Sequence, residues 1–133
     1  MKHFAYLLIT ILLLICSCNT TTNKVNTEKD CGVAQITTTK IDLGQLQYGE
    51  IVGVKYKLQN IGNAPLTIAE IKTTCGCTKA IYPKQPINKD ETATIELIFD
   101  TSGLNGYQYK TATVVIQSCK TQEIKIAFTA EIN

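Results

Sequence analysis

The chain has 133 residues and a formal net charge of +2, and all 13 of its basic residues are lysine. A near-neutral chain with scattered lysines lacks the basic cluster that nucleic acid demands, and it offers no dedicated patch for anionic lipid. The length suits one domain rather than two. Its single histidine is His3. No Ser-His-Asp, His-x-x-x-His or phosphate-loop pattern occurs. Neither an enzyme nor a cofactor or metal site is therefore expected.

Met1-Lys2-His3 is a short cationic start, and the run from Phe4 to Ile15 is almost purely apolar. As a helix that run spans ~18 Å, short of the ~30 Å hydrocarbon core. It reads as a signal-peptide core rather than a membrane span. Ile15-Cys16-Ser17-Cys18 follows, with an aliphatic residue three before Cys18 and a small one just before it. This resembles the bacterial lipobox, which implies cleavage after Ser17 and lipid on the sulfur of Cys18. Cys16 is a poorer candidate because bulky Ile15 precedes it. Multiple acyl chains on Cys18 give the stable anchoring that one chain cannot. Residues 1–17 are thus expected to be a lipoprotein signal peptide. Residues 18–30 are polar and aperiodic, a flexible tether.

From residue 31 onward the apolar pattern has period two. Val52, Val54, Tyr56 and Leu58 alternate with polar or small residues, and so do Ala93, Ile95, Leu97 and Phe99. Ala112, Val114 and Ile116 form a third such set, and Ile124, Ile126, Phe128, Ala130 and Ile132 a fourth. Each set predicts a strand with one buried face. Weaker strands are expected over Val33 to Leu43, Leu66 to Lys72 and Lys79 to Tyr82. The phase shift from Leu66 and Ile68 to Ile71 predicts a bulge. Gly-, Asn- and Pro-rich turns separate the strands, and no helical period is visible. About seven short strands in roughly a hundred residues predict an all-β, immunoglobulin-like sandwich over residues 31–133.

Four motifs occur in order: Asp42-Leu43-Gly44-Gln45-Leu46, Asn60-Ile61-Gly62-Asn63-Ala64-Pro65-Leu66-Thr67-Ile68, Cys75-Gly76-Cys77-Thr78 and Phe99-Asp100-Thr101-Ser102-Gly103. Together they resemble bacterial domain-of-unknown-function family 1573. The resemblance implies an immunoglobulin-like fold akin to domains of ciliary and centrosomal proteins. It implies no catalytic residue, since the family has no established activity. Two departures are Lys89-Asp90, where Pro-Gly is the family pattern, and Cys119 in the last hairpin.

Beyond Cys16 and Cys18 the cysteines are Cys31, Cys75, Cys77 and Cys119. An even number in an envelope protein favours disulfides. Chain direction in a sandwich puts Cys31 and Cys119 at one end, and Cys75 and Cys77 at the other, a strand length of ~17–20 Å away. Bridged Cα atoms must lie within ~7 Å, so Cys31–Cys119 is the predicted bridge, stabilising by about 2–5 kcal/mol. Cys75 and Cys77 are left with each other. Gly76 suits the tight backbone that such a pair demands. A structural pair, a soft-metal site and a redox pair compete for them, in that order.

Asp42, Glu50 and Asp100 are expected at the Cys75 end, as solvated loop acids. Tyr48, Tyr107 and Tyr109 at that end are either a binding patch or strand-end packing. The expectation is a lipid-anchored envelope protein on the periplasmic or surface side. It would be a non-enzymatic module for a protein or envelope polymer, acting through the cysteine end or by strand addition. The alternative is a thiol-dependent metal-binding or redox protein using Cys75 and Cys77.

Overall fold

The computed structural model describes residues 31–133. The expected signal peptide and tether, and the expected lipidation of Cys18, lie outside the described residues.

Eight strands build two four-stranded sheets, with no helix among the described residues. In the first sheet β1 (Ala34–Ile36), β3 (Ile51–Asn60), β6 (Thr92–Asp100) and β5 (Thr78–Ile81) lie in that order. In the second the order is β2 (Lys40–Leu46), β8 (Thr121–Ile132), β7 (Gly106–Gln117) and β4 (Thr67–Thr73). The architecture is an all-β, immunoglobulin-like sandwich.

Eight strands stand against about seven expected from the sequence, and the difference has one source. Val33 to Leu43 is not one strand. β1 pairs antiparallel with β3, and β2 pairs parallel with β8 in the opposite sheet. Thr37-Thr38-Thr39 carries the chain across between them. The first bond on the new sheet is the Ala127 N–H to Thr39 O, 2.8 Å.

Alternation does the rest. Val54, Tyr56 and Leu58 of β3 face Ala112, Val114 and Ile116 of β7 and the inward residues of β6 and β8 in one core cluster. The Phe99 and Phe128 rings meet across it at 4.9 Å between centroids. Tyr56 is 1 % exposed. Its hydroxyl donates to Ala127 O at 2.7 Å and ties the two sheets together. The register of β4 on β7 shifts between Ile68 and Glu70, the bulge that the phase change predicts.

Two buried polar residues organise the two ends. Thr101 is fully buried. Its hydroxyl donates to Gln47 O (2.7 Å) and accepts the Glu50 N–H (2.8 Å), stitching the 100–104 loop to the 44–50 turn. At the other end Asn60, also fully buried, joins the 31–33 segment, the 61–65 turn and Ile87, which forms an isolated bridge with Leu66.

Candidate functional site

The segment Thr74–Cys77 crosses from β4 in the second sheet to β5 in the first. It is pinned at both sides: the Thr74 N–H and hydroxyl donate to Thr111 O (3.3 and 3.1 Å), and the Asp100 N–H donates to Cys77 O (2.9 Å). At its apex Cys75 and Cys77 are joined by a disulfide, Cα atoms 5.3 Å apart. Both cysteines are half-buried and Gly76 is exposed. A side chain at Gly76 would meet nothing within 4 Å, and the residue lies outside the positive-φ region. The loop therefore does not need glycine on steric grounds, against the sequence expectation. Directly beneath, the Thr78 hydroxyl lies 3.5 Å from Cys75 Sγ and 3.9 Å from Cys77 Sγ.

Beside the disulfide lies a recess of about 400 Å³ on the outer face of the first sheet. Ile98 and Ile51 supply its apolar surface, Gly76 and Cys77 one wall, and Lys79 and Asp100 its charged rim. Hydrogen bonds from Ser102 hold the Asp100 carboxyl below the ordinary carboxylate range, and the nearby Lys79 charge acts in the same direction.

The other site residues are distributed differently. Tyr48, Tyr107 and Tyr109 are 65, 66 and 55 % exposed. Tyr107 and Tyr109 lie on the outer face of the second sheet, opposite Glu131 and Thr129. They do not share a face with the cysteine recess. Tyr109 reaches over β8, with the Lys40 ammonium 5.7 Å from its ring centroid. Ala127 and Thr129 beneath are buried although they face outward. Tyr48 is held at the sheet end by its N–H to Asn133 O (3.0 Å). Among the described residues no His, Cys, Asp or Glu cluster could hold a metal. Asp42, Glu50 and Asp100 each accept hydrogen bonds from their own turn, at Gly44, Gln47 and Ser102.

At the far end Cys31 and Cys119 form a second disulfide, Cα atoms 5.5 Å apart. It fastens the start of the domain to the β7–β8 hairpin. Gly32 N–H to Ser118 Oγ (2.8 Å) and Ala34 N–H to Gln122 Oε1 (3.1 Å) reinforce the same junction.

β1 covers only Leu58 to Asn60 of β3. The Ile61 N–H donates to Val33 O, whereas the Asn60 N–H donates toward β6 at Glu91 O. By the two-residue period of the ladder, the backbone groups of Gly53, Lys55 and Lys57 point away from β6. Among the described residues no strand continues β1 along that side. A groove of about 390 Å³ lies there, lined by Thr37, Thr38, Ile41, Lys55, Tyr56 and Lys57. The sequence signal was Thr37-Thr38-Thr39, three residues with no apolar partner in the alternation.

A family model matches residues 34–132. The chain belongs to the family described as protein of unknown function (DUF1573). No curated protein matches it. Among solved structures it is similar to a protein of unknown function from Porphyromonas gingivalis W83. The TM-score is 0.64 at 20 % identity, covering 75 % of this chain and 46 % of that one. It is also similar to Vibrio cholerae VesB protease, with TM-score 0.62 at 9 % identity, covering 75 % of this chain and 31 % of the protease. A third likeness is the PapD-like domain 7 of human CEP192, with TM-score 0.60 at 11 % identity, covering 75 % and 84 %. The chain thus spans less than half of the first two proteins. A fold shared by a protease and a PapD-like domain says nothing by itself about activity.

Most signature residues of this DUF1573 chain have structural roles. Gly44 has φ +67°, and its N–H caps Asp42. Asn60 and Thr101 are the two end stitches. Cys75-Gly76-Cys77 stands apart from these, half-buried at the apex of its loop with Gly76 exposed.

Proposed function

We propose that this chain is a non-enzymatic binding module of the bacterial envelope, anchored by lipid on Cys18, and that it takes an extended polypeptide by strand addition along β3. The observation that carries the reading is the β3 edge, which β1 covers only at Leu58 to Asn60. Its outward backbone groups at Gly53, Lys55 and Lys57 offer donors and acceptors to an incoming strand. A polysaccharide has no matching ladder, which favours polypeptide over envelope polymer.

The groove also states what the partner should look like. Half-buried Ile41, which lines the groove and packs against the core cluster, would receive inward apolar side chains. Lys55 and Lys57 beside the groove, with Lys40 on β2, favour acidic side chains on the partner's outward face. Alternating apolar and acidic residues are the expected pattern.

A peptide of that pattern, added to the full chain in detergent, should protect the Gly53, Lys55 and Lys57 amides from hydrogen exchange. Lys57→Pro removes one edge donor where proline is tolerated and should abolish binding with the melting temperature retained. A Lys55→Glu/Lys57→Glu variant should weaken it. Binding that survives Lys57→Pro would place the partner elsewhere. For the anchor, incorporation of labelled palmitate should vanish in Cys18→Ser, and labelling that persists would reject Cys18.

A further inference from the structure

We infer that Cys75–Cys77 is a thiol–disulfide exchange site that accepts electrons from a polypeptide dithiol, with Cys77 as the sulfur attacked. Three observations converge on it. First, the bond encloses a single residue, whereas Cys31–Cys119 joins residues 88 apart. Loop-closure stabilisation grows with the length enclosed, so opening the short ring costs the fold little. The bonds that pin Thr74 and Cys77 O involve neither sulfur. Open space around Gly76 lets the apex rearrange.

Second, access is one-sided. Cys77 lines the recess with Ile51 and Ile98, and Cys75 does not. An apolar recess with a Lys79–Asp100 rim can seat the residues flanking a partner cysteine. Third, the sulfurs have a proton donor. The Thr78 hydroxyl, on a residue only 5 % exposed, reaches Cys75 Sγ at 3.5 Å. It can donate to a thiolate forming there and favour that sulfur's departure.

The electrons balance as follows. The partner's first thiol, deprotonated, attacks Cys77 Sγ; the Cys75–Cys77 bond breaks, and Cys75 leaves as a thiolate. A mixed disulfide now joins Cys77 to the partner. The partner's second thiolate attacks its own sulfur in that bond and releases Cys77. The partner loses two electrons and gains a disulfide. Cys75 and Cys77 take up the two protons that the partner's thiols released.

This inference is independent of the strand-edge reading. Lys57→Pro tests that edge and leaves these sulfurs untouched. The exchange test uses the full chain in detergent with reduced glutathione as probe, read by peptide mass spectrometry. A single glutathione adduct should appear on Cys77, at a glutathione concentration that leaves Cys31–Cys119 intact. In Cys75→Ser, where Cys77 is a thiol, oxidised glutathione should leave its adduct on Cys77 with release of one glutathione thiolate, and the adduct should persist because the resolving sulfur is gone. Thr78→Val should slow adduct formation about tenfold, and Thr78→Ser should restore it. The proposal is overturned if Cys31–Cys119 opens first, or if the adduct forms on Cys75. An exchange rate equal in Thr78→Val, Thr78→Ser and the parent chain would overturn the role of the hydroxyl.

Discussion

The carboxamide oxygen of Asn60 accepts the Gly62 N–H at 3.0 Å and the Val33 N–H at 3.1 Å. Its amide nitrogen donates to Ala64 O at 2.8 Å and Ile87 O at 3.0 Å. Both donors and both acceptor positions of one asparagine are thereby used. Gly62 completes the arrangement. A Cβ there would collide with Cys31 O and Val33 N, so only glycine lets the turn lie against the start of the domain. The spacing Asn-x-Gly therefore records a packing requirement.

Asn60→Ala should destabilise the domain by about 3 kcal/mol or more, because several buried backbone groups lose partners together. Asn60→Asp keeps the two acceptor bonds but sets a carboxylate oxygen against the Ala64 and Ile87 carbonyls. It should also destabilise, and recover part of the loss at acid pH, where a protonated carboxyl can donate. Urea midpoints of the three proteins at neutral and acid pH check both statements. An Asn60→Ala protein as stable as the parent would dismiss the hub role.

The strong alternation of β3, β6, β7 and β8 was legible because each strand buries one face against the other sheet. The jump between sheets was not. Val33 to Leu43 looks continuous because threonine favours strands as readily as it tolerates a crossing. The outward burial of Ala127 and Thr129 was also hidden, since it depends on Tyr109 and Lys40 reaching across from neighbouring strands. At the candidate site the cysteines could be sorted to two ends by counting strands. The face on which each residue opens could not, and this separates Tyr107 and Tyr109 from the Cys77 recess.

Cys31–Cys119 should matter for stability. By the chain-entropy model a bridge over a span of this length contributes about 4–5 kcal/mol. Cys119→Ser should lower the unfolding free energy by about 2–5 kcal/mol, with residues 31–34 the first to lose hydrogen-exchange protection. Removing Cys75–Cys77 as Cys75→Ser/Cys77→Ser should cost clearly less. Equal losses in the two variants would contradict the ranking.

Asp42 connects stability to acid. The Gly44 N–H, then the Thr129 hydroxyl, hold its carboxyl below the ordinary value of 3.8. A folded-state value below the unfolded one means that the carboxylate contributes stability above the unfolded value and loses it as pH falls through the folded one. The contribution should be intact at neutral pH and fade below about pH 4. Asp42→Asn should be less stable than the parent at pH 7 and approach it at pH 2–3. A constant difference across that range would exclude the titration.

Tyr56 makes the opposite end of the pH scale informative. Burial pushes its phenol from 10.0 up to about 12, and the proton so retained is the one donated to Ala127 O. The unfolded chain releases this proton near pH 10, whereas the folded chain holds it to higher pH. Stability from Tyr56 is therefore complete below the unfolded value and falls as pH rises through the folded one. Tyr56→Phe removes both the hydrogen bond and the titration. It should be less stable than the parent at pH 7 by about 1–2 kcal/mol, and the gap should shrink between pH 10 and pH 12. Taking the difference between the two proteins cancels the alkaline titration of the lysines and the other tyrosines. Denaturant midpoints measured at intervals from pH 7 to pH 11.5 give the curve. A gap that stays constant or widens above pH 10 would show that the phenol ionises as readily in the folded protein as in the unfolded one, and would remove Tyr56 as the tie between the sheets.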